Sequence, residues 1–217
     1  MDFEFARESM IEQQIRTWGV TDERVLDAIR TVKRERFVPP ALRFLALADL
    51  QVPLGFGQVM LAPKMEAKIL QALAPQKHEK VLEVGTGSGH MAALFATLAQ
   101  MVHSVEIISQ LYEMAIANLE AQKFATVFVE LGNAATGWVR HAPYDVICIT
   151  GALDELPGTF LSELKAGGRL FAFLGAAPTM QATLLHKNAD GTIIEKSLFE
   201  TVVPPLLEAP QKETFVF

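Results

Sequence analysis

Cysteine is nearly absent: the 217-residue chain holds one, Cys148, inside the apolar run 146–149. No disulfide can form within one chain, and a buried structural thiol in a reduced, cytoplasmic protein is expected rather than a nucleophile or metal ligand. The N-terminus Met1-Asp2-Phe3-Glu4-Phe5 lacks the basic and apolar regions of a secretory leader, and no run is apolar for the length of a membrane span. No membrane association is therefore expected. Positive charge is also in short supply, with 19 Lys and Arg against 25 Asp and Glu and a net charge of −6. That balance gives no broad attraction to phosphate backbones, so nucleic acid is not an expected partner. The basic group Lys33, Arg34 and Arg36 is too short to change this and reads as the positive end of a helix facing its own macrodipole. The five histidines, at 78, 90, 103, 141 and 186, lack the spacing of metal ligands; no metal is expected, and most read as surface or edge residues. Internal repeats and low-complexity tracts are missing as well.

What is present centres on Val81-Leu82-Glu83-Val84-Gly85-Thr86-Gly87-Ser88-Gly89. A strand-like run enters alternating glycines, and an apolar helical pattern from Met91 to Leu98 follows. Strand, tight turn, helix is the reading. Such a turn lets a ligand lie against bare backbone at a helix N-terminus. A dinucleotide fingerprint needs glycine at the first, third and sixth places, and the sixth here is His90. A nicotinamide enzyme is therefore disfavoured. Glycines at the first, third and fifth places, preceded by Glu83, resemble motif I of the class I S-adenosylmethionine-dependent methyltransferases. A turn that binds nothing is the plainer alternative. Seventeen residues beyond Gly89, a second apolar run, 101–105, ends in Glu106, an acid placed to accept both ribose hydroxyls of a nucleoside.

Half of the residues are hydrophobic, enough for one domain with a full core. Residues 4–18 predict a first helix ended by Gly19. Thr21 predicts an N-cap for a second, which Pro39-Pro40 stops, and a short third helix covers 42–48. The stretch Val52 to Pro63, with two glycines and two prolines, reads as an ordered loop. It either walls the cofactor site or is a buried crossover. Pro63 opens the next helix, with Met65, Ile69 and Leu73 on one face. Strands near 80–84, 101–106, 126–131, 144–150 and 168–174 predict a parallel sheet with helices on both faces. Their tips share one site. Asn133 is placed to meet an adenine edge, or simply completes a turn after Gly132. Lys165 to Leu170 reads as a glycine-ended helix entering the fifth strand, and Asp190-Gly191 predicts a hairpin closing the sheet edge. The fold expected is α/β: a three-layer Rossmann-like class I methyltransferase sheet, mainly parallel with an antiparallel C-terminal edge, plus an N-terminal helical cap. Residues 1–63 form the cap and substrate loop, 64–175 the cofactor-binding core, and 176–217 the hairpin and a tail that leaves the sheet before the apolar Phe215-Val216-Phe217.

Over nearly its whole length the chain resembles the protein-L-isoaspartate O-methyltransferase family. The likeness lies in Ile11 to Arg16, in Val25 to Val38 with Arg36-Phe37-Val38-Pro39 at its end, in Gly55-Phe56-Gly57-Gln58, in Val81 to Gly89 and in Leu164 to Leu170. The resemblance implies methyl transfer from S-adenosyl-L-methionine to the carboxylate of isoaspartyl residues in damaged proteins, initiating their repair, with S-adenosyl-L-homocysteine as product. It implies a monomer acting on isoaspartyl proteins or peptides. The cofactor site it implies comprises Glu83, Gly85, Thr86, Gly87, Ser88, Gly89, Glu106, Ile107, Asn133, Ala134 and Thr150, and the substrate loop Gln58, Val59, Met60, Leu61, Ala62 and Pro63.

The chain departs from the family where acceptor chemistry is carried. After Gly-x-Gly-Gln the family usually has Thr-Ile-Ser, whose hydroxyls are associated with the acceptor carboxylate; here Val59, Met60 and Leu61 stand there. Asn133 stands where an aspartate commonly meets the adenine amine, and its carbonyl oxygen can still accept. Backbone N–H groups or Lys64 are candidate replacements for the hydroxyls, although Lys64 also reads as an ordinary surface lysine. Three alternatives stay open: a methyltransferase for a less polar small molecule, a non-catalytic S-adenosylmethionine-binding protein and, more distantly, a nicotinamide oxidoreductase.

Overall fold

The computed structural model describes residues 2–211. Seven strands form one sheet in the order β5-β4-β3-β6-β7-β8-β9: β3 Lys80–Val84, β4 Met101–Glu106, β5 Val127–Leu131, β6 Tyr144–Leu153, β7 Leu164–Leu174, β8 Met180–Lys187 and β9 Ile193–Thr201. The first five are mutually parallel, and β7, β8 and β9 continue as an antiparallel meander. Central strands are apolar at successive positions because both faces are covered. Val146, Cys148, Phe171 and Phe173 point into one core, and Ile147, Ile149, Leu170 and Ala172 into the other. Helices α3 Pro63–Leu73, α4 His90–Leu98, α5 Ser109–Ala121 and α6 Gly158–Glu163 supply the outer layers. The expected parallel sheet with an antiparallel edge is present, and the hairpin turns at 188–192, where Asn188 N donates to Thr192 O at 2.8 Å. Among the described residues, no helix is long and apolar enough to cross a membrane.

Several local expectations need correction. The first helix is α-helical only over Phe3–Met10 (α1) and continues as a π turn, Ile11–Ile15, and a 3-10 turn, Arg16–Trp18, before Gly19 ends it at φ 78°. Asp22, not Thr21, caps the second helix, α2 Glu23–Thr31, by accepting from Arg24 N at 3.0 Å, because a carboxylate one residue closer reaches the free amides. The segment expected as a third α-helix is a 3-10 helix at Pro40–Leu45. The helix expected to end at Gly167 ends at Glu163, and residues 164–168 already belong to β7. A register shift there places Leu164 beside Tyr144 and Arg169 beside Val146. The four residues between, 165–168, absorb the glycines as a bulge. Phe215 to Phe217 lie outside the described residues.

The loop expected over 52–63 is a two-stranded antiparallel hairpin, β1 Val52–Gly55 and β2 Gln58–Met60. Phe56 and Gly57 form its turn at φ 54° and 72°, the left-handed pair that matches strand twist in a tight hairpin. Pro53 is tolerated because a two-stranded sheet consists of edges.

Candidate functional site

Glycines pave the turn between β3 and α4 for a steric reason that is clearest at Gly85. Its φ is 91°, and a Cβ there would sit 2.5 Å from Thr150 Oγ1 on the neighbouring strand β6. That hydroxyl lies 2.9 Å from Val84 O and 2.8 Å from Gly85 O, so it ties the tip of β6 to the turn. One strand to the other side, Glu106 ends β4 with both carboxylate oxygens fixed: Gly87 N donates to Oε2 at 2.9 Å and Ile108 N to Oε1 at 3.0 Å. Held this way, the carboxylate keeps free lone pairs for hydroxyl donors. Thr86 Oγ1 lies 2.6 Å from Ser104 Oγ, which in turn donates to Glu83. The other Glu83 oxygen, Oε1, is buried without a partner.

Burial pushes the Glu83 carboxyl up to about 8, with the Glu106 charge adding to it and Ser104 opposing. A carboxyl whose folded value lies above its unfolded one contributes stability below the unfolded value and loses it as pH rises through the folded one. Glu83→Gln is therefore expected to gain on the parent protein as pH rises from about 4.5 to about 8. Urea midpoints at pH 5 and 8 read this, and a pH-independent difference would refute it.

The hairpin leans over this turn. A cleft runs from Gln58 and Val59 past Gly85, Gly87, Glu106 and Ile107 to Asn133, Ala134 and Thr150. A smaller one adjoins it, between Val59, Met60 and Leu61 on the hairpin and Glu83, Thr86 and Ser88 on the turn. They share Val59, Gly85, Gly87 and Thr150. Behind the hairpin sits a buried polar network. Arg34 donates Nε to Ala46 O at 2.8 Å, Nη2 to Leu61 O at 2.6 Å and Nη1 to Glu66 Oε2. Glu66 Oε1 lies 3.0 Å from His90 Nδ1. Burial pushes Glu66 up, but Arg34 and His90 outweigh it and hold the carboxyl below its ordinary value. Burial, with the Arg34 charge adding to it, lowers His90 against the pull of Glu66. An ionised Glu66 beside a neutral imidazole puts the His90 proton on Nδ1.

These features, a strand-tip carboxylate beside a glycine turn and a hairpin over both, coincide with a whole-chain match. Residues 5–210 match the family described as protein-L-isoaspartate(D-aspartate) O-methyltransferase. The chain belongs to this family. The protein-L-isoaspartate O-methyltransferase of a Picosynechococcus species is 37% identical over 198 residues, covering 91% of this chain and 89% of that one. The enzyme of that name from Methanoculleus marisnigri is 41% identical over 182 residues, covering 84% and 83%. Among solved structures, a protein-L-isoaspartate O-methyltransferase superposes with a TM-score of 0.78 at 26% identity, covering 92% of this chain and 65% of that longer one. A Plasmodium falciparum protein described as the same kind of enzyme, solved with S-adenosyl-L-homocysteine, shares the fold at 20% identity, with a TM-score of 0.77 and 92% and 97% coverage.

Not every family-like position reaches a cavity wall. Ala62 and Pro63 cap and open α3 behind the hairpin, and Gly89 faces α5, where a Cβ would meet Leu119 Cγ at 3.1 Å. Lys64, a candidate for replacing the lost hydroxyls, is engaged elsewhere: its Nζ donates to Asp49 at 2.7 Å and lies 4.9 Å from the Trp18 ring centre. Of the basic group, Lys33 does reach the end of α2, donating to Arg30 O at 3.1 Å, whereas Arg34 turns into the core because Glu66 awaits it there. His90 and His103 are buried, not surface or edge residues. His103, Glu130 and His141 also converge, with donor atoms within 4.8 Å of one another, although nothing in their spacing suggested ligands. Glu130 already accepts from Trp138 Nε1 at 3.1 Å and His141 Nε2 at 2.8 Å and pairs with Arg140. The trio thus reads as the anchor of the 138–141 segment.

The wall that the sequence reading missed comes from the C-terminal tail. Pro204, Leu206 and Leu207 line the larger cavity. Ala152 N donates to Pro204 O at 3.0 Å and Leu206 N to Ala152 O at 2.8 Å, docking the tail beside β6. Its one local signal is an apolar run, 202–207, that outlasts β9 although prolines forbid a further regular strand.

Proposed function

We propose that this chain uses S-adenosyl-L-methionine to methylate the side-chain carboxylate of L-isoaspartyl residues in damaged proteins and peptides. The observation that carries the reading is the single lined space joining the glycine turn, the Glu106 carboxylate and the hairpin. The residues present fit the cofactor: the Glu106 carboxylate, fixed by Gly87 N and Ile108 N, keeps free lone pairs for ribose hydroxyls, and Ile107, Ala134, Leu206 and Leu207 offer an apolar lining for a base beside it. S-adenosyl-L-methionine supplies, when bound, a methyl group activated on a sulfonium. Glu106 accepts the ribose hydroxyls, Ile107 and Ala134 flank the base, and Thr150 keeps the turn open. The domain works in the three parts expected from its sequence: cap and hairpin to 63, cofactor core to 175, and the closing meander and tail beyond. A fully buried, unpaired Cys148, whose thiol burial pushes well above its ordinary range, supports a reducing cytoplasmic setting.

A carboxylate acceptor is already anionic at neutral pH, so the protein need only position and partly desolvate it. On the hairpin side the walls that do so are apolar, Leu54, Val59, Met60 and Leu61, and they face Thr86, Ser88 and Thr150 across the space. Arg34 fixes the backbone of Leu61 from behind, so a serine placed at 61 keeps that position. Leu61→Ser is expected to raise kcat/KM on an isoaspartyl peptide about tenfold, the worth of one hydrogen bond to a charged group. The deciding measurement is transfer of labelled methyl to an isoaspartyl peptide beside the same peptide with ordinary aspartate. Base-labile label on the isoaspartyl peptide alone supports the reading. Label on neither, with cofactor binding intact, and no gain in Leu61→Ser would favour the second reading that the apolar walls suggest, a less polar small-molecule acceptor.

A further inference from the structure

The tail does more than wall the cavity. Immediately after Leu206 and Leu207, Glu208 takes φ 57°, a left-handed conformation uncommon outside glycine, asparagine and aspartate. That turn returns its side chain to the tip of β5, where Glu208 Oε2 accepts from Asn133 Nδ2 at 2.7 Å across 75 positions of sequence. The Asn133 oxygen is meanwhile occupied within its own loop, accepting from Ala135 N at 2.8 Å. Asn133 therefore presents a donor to a carboxylate, while its carbonyl holds the loop that lines the cavity. The neighbouring lining, Ile107, Ala134, Leu206 and Leu207, consists of apolar side chains.

An apolar slot by itself accepts any purine face. Adenine and hypoxanthine differ at one edge: adenine offers an exocyclic amine that donates, whereas hypoxanthine offers a carbonyl oxygen there. A carboxylate beside that edge accepts from the first and repels the second.

Resting on the S-adenosylmethionine reading above, we propose that Glu208, oriented by Asn133, is the residue that selects adenine in the cofactor by accepting a hydrogen bond from its exocyclic amine. The tail thereby becomes part of the specificity apparatus, and an acid 75 positions away adds an anionic acceptor that Asn133, a neutral amide, does not itself provide.

The test is calorimetric titration of the full chain with S-adenosyl-L-homocysteine and with its inosyl counterpart, which carries the carbonyl in place of the amine. The parent protein is expected to prefer the adenosyl compound by about tenfold or more. In Glu208→Ala that preference falls to within about twofold, through weaker adenosyl binding. Asn133→Asp sets two carboxylates against each other and weakens adenosyl binding. Combining it with Glu208→Gln restores a donor–acceptor pair with the roles exchanged, and the preference returns. A Glu208→Ala protein that discriminates as the parent does would overturn the proposal while leaving the cofactor reading intact. A parent protein that binds neither compound would overturn both.

Discussion

Replacing Arg34 by methionine is expected to lower the unfolding free energy by about 3–5 kcal/mol, as removal of one partner from a buried ion pair does. The guanidinium is 3% exposed and serves Glu66 together with the carbonyls of Ala46 and Leu61. Its loss strands a buried carboxylate and two buried acceptors at once. Against a typical total of about 5–15 kcal/mol, that is a large share. The pH dependence separates this cause from simple loss of packing. In the parent protein Glu66 sits below its ordinary 4.5, so its stabilisation is present above that pH and fades as pH falls through the lower folded value. Without Arg34, burial becomes the dominant influence, the folded value moves above 4.5, and stability is lost as pH rises through it. The gap between parent and variant should therefore be widest near neutrality and narrow towards pH 4. Urea unfolding at several pH values reads both effects. Adding Glu66→Gln should recover much of the loss, because a neutral amide costs less to bury unpaired than a charge. A loss below about 1 kcal/mol would show that the network is not what holds the hairpin's base.

That network also marks where sequence reading stops. The central sheet was legible because each strand carries its own signal: β3, β4 and β6 are apolar runs buried on both faces, and the glycine turn declares itself within nine residues. Glu106 could be placed because it follows that turn at the length of one helix and one strand. Asp190-Gly191 marked its hairpin for the same local reason. The partner of Arg34 lies 32 residues away on another helix, and no local pattern distinguishes an arginine that caps a helix from one that enters the core. The segment over 52–60 misled for a related reason: proline and glycine mark irregular backbone in a central strand but are compatible with an isolated hairpin. The tail was read as leaving the sheet because its prolines break the strand. Its docking depends on Ala152, some fifty positions earlier, and is invisible until β6 is in place.

Gly85→Ala is expected to weaken S-adenosyl-L-homocysteine binding by at least about a hundredfold, which corresponds to about 2.8 kcal/mol. Two costs converge on that residue. The first is conformational: φ 91° lies where an L side chain is strained, at about 1–3 kcal/mol for a residue held there. The second is contact, since the new methyl would fall 2.5 Å from Thr150 Oγ1, while Leu206 Cδ1 of the tail stands at 4.0 Å. Thr150 can retreat only by giving up the carbonyls of Val84 and Gly85, which loosens the turn that approaches the ligand. Because the strain acts through the site, the effect on binding should exceed the effect on stability. Thr150→Ala separates the two costs. It removes the hydroxyl, leaving what was the threonine Cβ at 3.8 Å from the new methyl, an ordinary van der Waals distance. The double variant Gly85→Ala/Thr150→Ala should therefore recover binding in part and stop short of the parent by the conformational cost alone. Full recovery would mean that the left-handed backbone costs the free and the bound protein equally, and no recovery would mean that the contact with β6 is not what closes the cleft. Calorimetric titration of the three variants beside the parent distinguishes these outcomes.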